Sequence, residues 1–261
     1  MPEYPVKPFH KGVYLLPNLM TSASLFSGFL GLVWAATGKF EPCALAILAS
    51  AFFDGLDGKV ARLTKTVSPF GVQFDSLSDL VAFGVTPAAM MYFWRLHEFG
   101  RLGLAVAFLY VVCGALRLAR FNVQFPGASK KYFVGLPIPA AGCLMSTLVL
   151  FMPFVPEGFR GEGFSWFVLS LAFVLGYLMV SRVRYASFKE YGFARAQSFS
   201  MMIVAVLLFV LVASHPRVLG FLLLFVYMLS GPINTYLLLA GRRRAPAEKG
   251  QEENEKEPSE A

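Results

Sequence analysis

Hydrophobic residues along this chain come in long runs, broken by short polar stretches. A helix that crosses a hydrocarbon core needs about 20 mainly apolar residues. Runs of that kind lie at about 16–38, 40–58, 76–94, 102–123, 136–155, 163–181, 198–214 and 218–240. The pattern predicts an all-α integral membrane protein, a polytopic bundle of about eight transmembrane helices. It divides the chain into an N-terminal segment (1–15), a membrane domain (16–240) and a tail (241–261).

One polar stretch does not fit a lipid-facing chain. Asp54 to Asp79 reads "DGLDGKVARLTKTVSPFGVQFDSLSD", between the apolar "ALAILASAFF" and "LVAFGVTPAAMMYFW". Asp54 and Asp57 lie near the end of the second run, three residues apart and about 60° apart in azimuth on a helix. Asp75 and Asp79 lie at the start of the third run, four residues apart and about 40° from each other. Ser68-Pro69 and Gly71 between them signal a turn and a new helix start. So short a connection makes the two helices antiparallel neighbours, and all four acids can then converge on one cavity.

Composition supports the class. Of 261 residues, 56% are hydrophobic and 15% charged, and the mean hydropathy is +0.59. A soluble domain of this length needs more polar surface. Charge then orients the bundle. Lys7, Lys11, Lys59, Arg62, Lys65, Arg117, Arg120, Lys130, Lys131, Arg182, Arg184, Lys189, Arg195 and Arg242 to Arg244 would face one side, whereas Lys39, Arg95, Arg101, Arg160 and Arg217 would face the other. Cytoplasmic loops collect Lys and Arg, so both termini are expected in the cytoplasm, with the chain in the inner membrane and the acidic cluster facing inward. Anionic headgroups and this bias account for the net charge of +7 without a nucleic-acid partner. The N-terminus lacks the pattern of a cleaved signal peptide, so the first span is expected to stay.

Other residues carry less chemistry. Cys43, Cys113 and Cys143 stand singly in apolar runs without metal-type spacing and are expected to pack. His10, His97 and His215 lie far apart near span borders. The tail "EKGQEENEKEPSEA" has nothing apolar to bury and is expected to be disordered. The 27 Phe face lipid or fill gaps between helices.

Four carboxylates held together repel one another unless cations join them. Oxygen-only ligands favour Mg²⁺, Mn²⁺ or Ca²⁺. A pair of such ions can clamp the attacking and leaving oxygens of a phosphoryl displacement. Gly55 and Gly58 remove bulk where a large ligand would approach, and Arg62, one turn on, can pair with phosphate. Together these suggest a nucleotide diphosphate. Asp and Arg at helix ends also serve as interfacial anchors, but four acids across one turnaround exceed that need.

The stretch fits D-x2-D-G-x2-A-R-x8-G-x3-D-x3-D without departure, through Asp54, Asp57, Gly58, Ala61, Arg62, Gly71, Asp75 and Asp79. It resembles the signature of the CDP-alcohol phosphatidyltransferases. The resemblance implies a dinuclear Mg²⁺ or Mn²⁺ site on Asp54, Asp57 and Asp75, with Asp79 both assisting the metal and acting as general base. It places Gly58, Arg62 and Ser68, and Asn18 and Thr21 of "PNLMT", against the CDP moiety of CDP-diacylglycerol. "SPFGVQFDSLSDLVAFGVTPA", "CGALRLARFNVQ" and "GLPIPAAG" are similar to the membrane-embedded phosphatidylserine synthases, which implies L-serine as acceptor, phosphatidylserine and CMP as products, and a homodimer.

For the acceptor, Arg117 and Arg120, followed by Asn122, can present a cation to the amino-acid carboxylate, or can simply anchor the helix end. Gln73 and Ser78 are further candidates. Lys130 and Lys131 fit anchoring better. "GLPIPAAG" either shapes the cavity or starts a helix. A sister transferase using glycerol 3-phosphate, an inositol phosphate or choline is an alternative, and a divalent cation transporter is one of a different class.

Overall fold

A computed structural model describes residues 15–64, 68–123, 133–185 and 215–255. The expected span at 198–214, and Lys130 and Lys131, lie outside the described residues. The helices are α1 (Leu15–Ala36), α2 (Phe40–Leu63), α3 (Pro69–Asp79), α4 (Thr86–Trp94), α5 (Arg101–Val123), α6 (Ile138–Phe151), α7 (Glu162–Val180) and α8 (Pro216–Glu255). A π-helical turn, Leu80–Val85, joins α3 to α4, so Pro69–Trp94 forms one continuous rod.

Among the described residues, five helical stretches are long and apolar enough to cross a membrane: Leu16–Ala36, Pro69–Trp94, Arg101–Val123, Glu162–Val180 and Pro216–Tyr236. Two more expected spans are present as helices of a different kind. α2 has the length, 24 residues, but its C-terminal part, from Asp54 on, carries Asp54, Asp57, Lys59 and Arg62. α6 is apolar but stops after 14 residues, where Pro153 ends the ladder.

The third span begins earlier than its apolar run suggests, at Pro69 instead of about 76. Ser68 caps it, its hydroxyl accepting the Gly71 N–H at 3.0 Å, and Pro69 occupies the first turn, where a missing N–H costs nothing. Asp75 and Asp79 therefore lie inside an established helix, not at its mouth. At the other end of the chain α8 continues to Glu255, where composition alone predicts disorder.

The helical fold also contains one short pairing that periodicity misses. β1 (Phe133–Val134) pairs antiparallel with β2 (Arg184–Tyr185). Gly135 follows at φ 84°, and an added Cβ would stand 2.4 Å from the Met179 carbonyl oxygen. Only glycine fits there.

Small residues bring the site-bearing helices together. A Cβ on Gly28 of α1 would stand 2.8 Å from the Ala82 Cα, and one on Gly142 of α6 would stand 3.0 Å from the Phe83 Cα. The π turn is thus gripped from two sides by backbone contact, as membrane helices commonly pack. Such a turn loosens the regular ladder. Thr86 Oγ1 donates to the Val81 carbonyl at 2.9 Å, and Tyr110 Oη donates to the Phe83 carbonyl at 3.0 Å. α1 and α2 are joined by Ser24 and Ser50, whose hydroxyls lie 2.7 Å apart and also bond each other's backbone. The core (Phe83, Met90, Tyr110, Ile138, Leu144, Leu148, Leu175, Met179) fills the space among α4, α5, α6 and α7. Phe26, Phe29, Phe52 and Phe108 point outward, as lipid-facing residues do.

At the end of the bundle away from the acids, Glu98 clasps α7. It accepts from Ser165 Oγ at 2.6 Å and pairs with Arg95 at 3.4 Å. The Ser165 hydrogen bond, aided by Arg95, holds its carboxyl below the usual carboxylate range.

Candidate active site

The polar end of the bundle is built from α1, α2 and α3. α2 delivers Asp54 and Asp57, and α3 runs back antiparallel with Asp75. Ligand oxygens of Asp54, Asp57 and Asp75 all lie within 4.8 Å of one another. Asp79 is one turn deeper on α3, 9% exposed. Asp54 stands within hydrogen-bonding reach of both Asp75 and Asp79. The four acids are therefore brought together as a triad with a fourth behind it, not as an equal set. The separation follows from the helix: four residues on means about 6 Å deeper along the axis.

The donor set fits a hard divalent cation. All the ligand atoms are carboxylate oxygens, at a spacing where bare anions would repel. Asp57 is 6% exposed, and Thr21 Oγ1 donates to its Oδ2 at 2.6 Å. That bond orients the carboxylate from outside and leaves its other oxygen available, the usual arrangement around a metal ligand. Asp79 Oδ1 is buried with no hydrogen-bond partner among the described residues.

Beside the triad lies a cavity of about 370 Å³ lined by Pro17, Asn18, Thr21, Asp57, Gly58, Ala61, Arg62, Ser68, Gly71, Val72 and Asp75. It holds most of the residues expected to meet a nucleotide. Arg62 is exposed and bends back, Nε donating to the Gly58 carbonyl at 2.7 Å. Ser68 both caps α3 and lines the wall. Gly55 departs from expectation: it is exposed, with no atom within 4 Å of where a side chain would begin, and it does not line the cavity. It sits on α2 two residues before Asp57, about 200° around the helix, so its position faces away from that carboxylate.

The residues expected on the acceptor side separate sharply. Arg120 is committed to backbone, donating to the carbonyls of Val180 at 3.0 Å, Val134 at 3.2 Å and Met179 at 3.3 Å. Ser78 is buried and donates to the Thr21 carbonyl at 3.2 Å, tying α3 to α1. Asn122 Nδ2 donates to Gln73 Oε1 at 3.2 Å and to Ser76 Oγ at 3.0 Å, tying α5 to α3. Arg117 differs. Its Nε is buried without a partner among the described residues, and its charge acts on Asp79. Ser76 went unnoticed in sequence because a lone serine carries no periodic signal. Cys143 on α6 also lies in the electrostatic neighbourhood of Asp54, a placement that spacing cannot reveal.

The CDP-alcohol phosphatidyltransferase family model matches residues 14–178. This chain belongs to that family. Three relatives illustrate its range. A Helicobacter pylori (strain J99) protein named CDP-diacylglycerol–serine O-phosphatidyltransferase is 45% identical over 181 residues, covering 68% of this chain and 74% of that one. A Methanocaldococcus jannaschii protein of the same name is 40% identical over 198 residues, 74% and 86% of the two chains. An archaetidylserine synthase of Methanothermobacter thermautotrophicus is 37% identical over 175 residues, 65% and 69%. The family match takes in α1 to α6 and all but the last two residues of α7, and so the whole acidic triad and its cavity; α8 lies beyond it.

Proposed function

We propose that this membrane enzyme transfers the phosphatidyl group of CDP-diacylglycerol to the hydroxyl of L-serine, releasing CMP. The observation that carries the reading is the Asp54–Asp57–Asp75 triad opening on a cavity with a phosphate-type arginine, in a chain of this family. The names of its relatives supply the acceptor.

Asp54, Asp57 and Asp75, with Asp79 behind them, would hold two Mg²⁺ or Mn²⁺ ions, which would supply positive charge to the diphosphate and to the departing CMP. The protein does the rest. Thr21 fixes the rotamer of Asp57. Asn18, Gly58, Arg62 and Ser68 seat the cytidine diphosphate, the glycine by clearance and the arginine by its charge. The acyl chains stay in the bilayer beside the exposed apolar faces. Asp79 Oδ1, buried and without a partner, accepts the proton of the serine hydroxyl. The serine oxygen bonds to the phosphorus that carries diacylglycerol, the bond from that phosphorus to the CMP oxygen breaks, and the proton passes from Asp79 to solvent. Phosphatidylserine and CMP result. The triad faces the cytoplasm from the inner membrane, both termini lie on that side, residues 16–240 form the catalytic domain, and the enzyme works as a homodimer.

The test is CMP release by the purified protein given CDP-diacylglycerol, Mn²⁺ or Mg²⁺, and each acceptor in turn. Serine supports release and a chelator abolishes it. Release with glycerol 3-phosphate, an inositol phosphate or choline, but not serine, would assign a sister reaction.

A further inference from the structure

Ser78 and Thr86 both fasten the Pro69–Trp94 rod to α1. Ser78 Oγ donates to the Thr21 carbonyl at 3.2 Å, and Thr86 Oγ1 donates to the Gly28 carbonyl at 2.9 Å. Thr21 and Gly28 are seven positions apart, about two turns, so they lie on one face of α1. Ser78 and Thr86 are eight positions apart, which on a regular helix separates them by about 80° in azimuth. An unbroken α-helix could not present both to α1. The π turn between them absorbs the extra residue, for the Thr86 N–H closes on the Val81 carbonyl, five positions back instead of four. Asp79 adjoins Ser78, and Thr21 also donates to Asp57 at 2.6 Å. The turn therefore sets which way the acid-bearing half of the rod faces, while α4 keeps its own place in the core.

Pro87 leaves this turn with an open bond. A regular helix would close the Phe83 carbonyl on the N–H of residue 87, and proline has none. Phe83 is fully buried, and an unpaired acceptor there is costly. Tyr110 of α5 supplies the missing donor, its Oη 3.0 Å from that carbonyl. Its own place is fixed: it is buried, and a Cβ on Gly176 of α7 would stand 3.4 Å from its Cα. The same device recurs away from the acids. Pro232 removes the N–H that would close on the Met228 carbonyl of α8, and Tyr185 Oη donates to that carbonyl at 3.2 Å.

We propose that Tyr110 is a positioning residue for the transfer: by holding the carbonyl that Pro87 frees, it keeps the π turn in the register that aims Asp75 and Asp79 at α2. It acts through the backbone of the rod, not on the substrate. The inference rests on the role given to Asp79 above. Were the turn to relax into a regular helix, the acid-bearing half would rotate by about 100° relative to α4, away from Asp54 and Asp57. Tyr185 completes a helix that carries no acid of the triad, so its bond serves stability alone.

The experiment measures kcat, KM and metal-free Tm for wild type, Tyr110→Phe, Pro87→Ala, the double variant and Tyr185→Phe. Tyr110→Phe keeps the ring and loses the donor. Its Tm falls and its kcat falls about 10- to 100-fold, the cost of a misplaced catalytic group, while KM for serine and for CDP-diacylglycerol stays within about twofold. Pro87→Ala returns an N–H to the Phe83 carbonyl and lets the ladder close regularly. Added to Tyr110→Phe, it restores Tm and leaves kcat low, because the carbonyl is satisfied and the register is not. Tyr185→Phe lowers Tm with kcat unchanged. Recovery of kcat together with Tm in the double variant overturns the proposal. So does an unchanged kcat in Tyr110→Phe, or an equal loss of kcat in Tyr185→Phe. If Tyr110→Phe fails to fold, Pro87→Ala alone decides: low kcat at wild-type Tm or above supports the register, and full kcat overturns it. Wild type that releases no CMP with serine refutes the parent reaction instead, and the same comparison is then made with the acceptor that supports release.

Discussion

Asp57 shows how much one side chain depends on its surroundings. It is 6% exposed, a costly place for an anion, and it is held there by a 2.6 Å bond from Thr21. Replacing Asp57 or Asp75 by Asn keeps the shape but removes a ligand charge. Each change is expected to cut the transfer rate at least ~10²-fold and to raise the Mn²⁺ concentration giving half-maximal rate. An unaltered metal dependence would take these residues out of the metal site. Arg120 makes a contrasting case. Arg120→Ala leaves three carbonyls without their donor and should lower stability by about 1–3 kcal/mol, read as a fall in Tm.

Among the elements, the rod from Pro69 to Trp94 does the most. Its π turn is clamped between Gly28 and Gly142, with backbone atoms 2.8–3.0 Å from where their side chains would start. A larger residue at either position must push the turn, and Asp79 sits next to it. Gly28→Leu is expected to cost about 1–3 kcal/mol in stability, as overpacking does, and to slow transfer while the protein still reaches the membrane. Full activity in that variant would show the turn to be tolerant. At the opposite end, the clasp of Ser165 and Arg95 on Glu98 depresses that carboxyl. Its stabilisation is present above the ordinary carboxylate value of about 4.3 and fades as pH falls through the lowered one. Thermal melts of wild type and Glu98→Gln should stand apart above the ordinary carboxylate value of about 4.3 and draw together as the pH falls through the lowered one. Glu98 is partly solvated, so the separation is small.

For the whole molecule, length matters. The 26-residue rod is about 39 Å long, against a hydrocarbon thickness of ~30 Å. With Trp94 at one border, Asp75 falls close to the other and Asp79 about a turn inside. The triad thus meets water while lipid tails reach its flank, which suits a substrate that is half nucleotide and half lipid. Orientation is testable in intact cells. With Cys43, Cys113 and Cys143 replaced by Ala, an impermeant maleimide should label Gly158→Cys from outside and leave Lys11→Cys untouched. The reverse pattern would put the acids on the outer face.

The acids, their spacing and the antiparallel turnaround could be taken from the chain alone. Fixed helical periodicity converts positions such as 54, 57, 75 and 79 into faces, and apolar runs mark most spans without reference to neighbours. The triad with a fourth acid behind it, the exposure of Gly55, and the division between Arg117 and Arg120 could not. Those depend on which groups face each other across different helices, and one-dimensional spacing carries no information on that. The π turn belongs to the same class: its gripping partners, Gly28, Tyr110 and Gly142, lie on three other helices. What the residue order determined was an acidic membrane turnaround; tertiary contact alone decided which charges are already satisfied and which remain for a substrate.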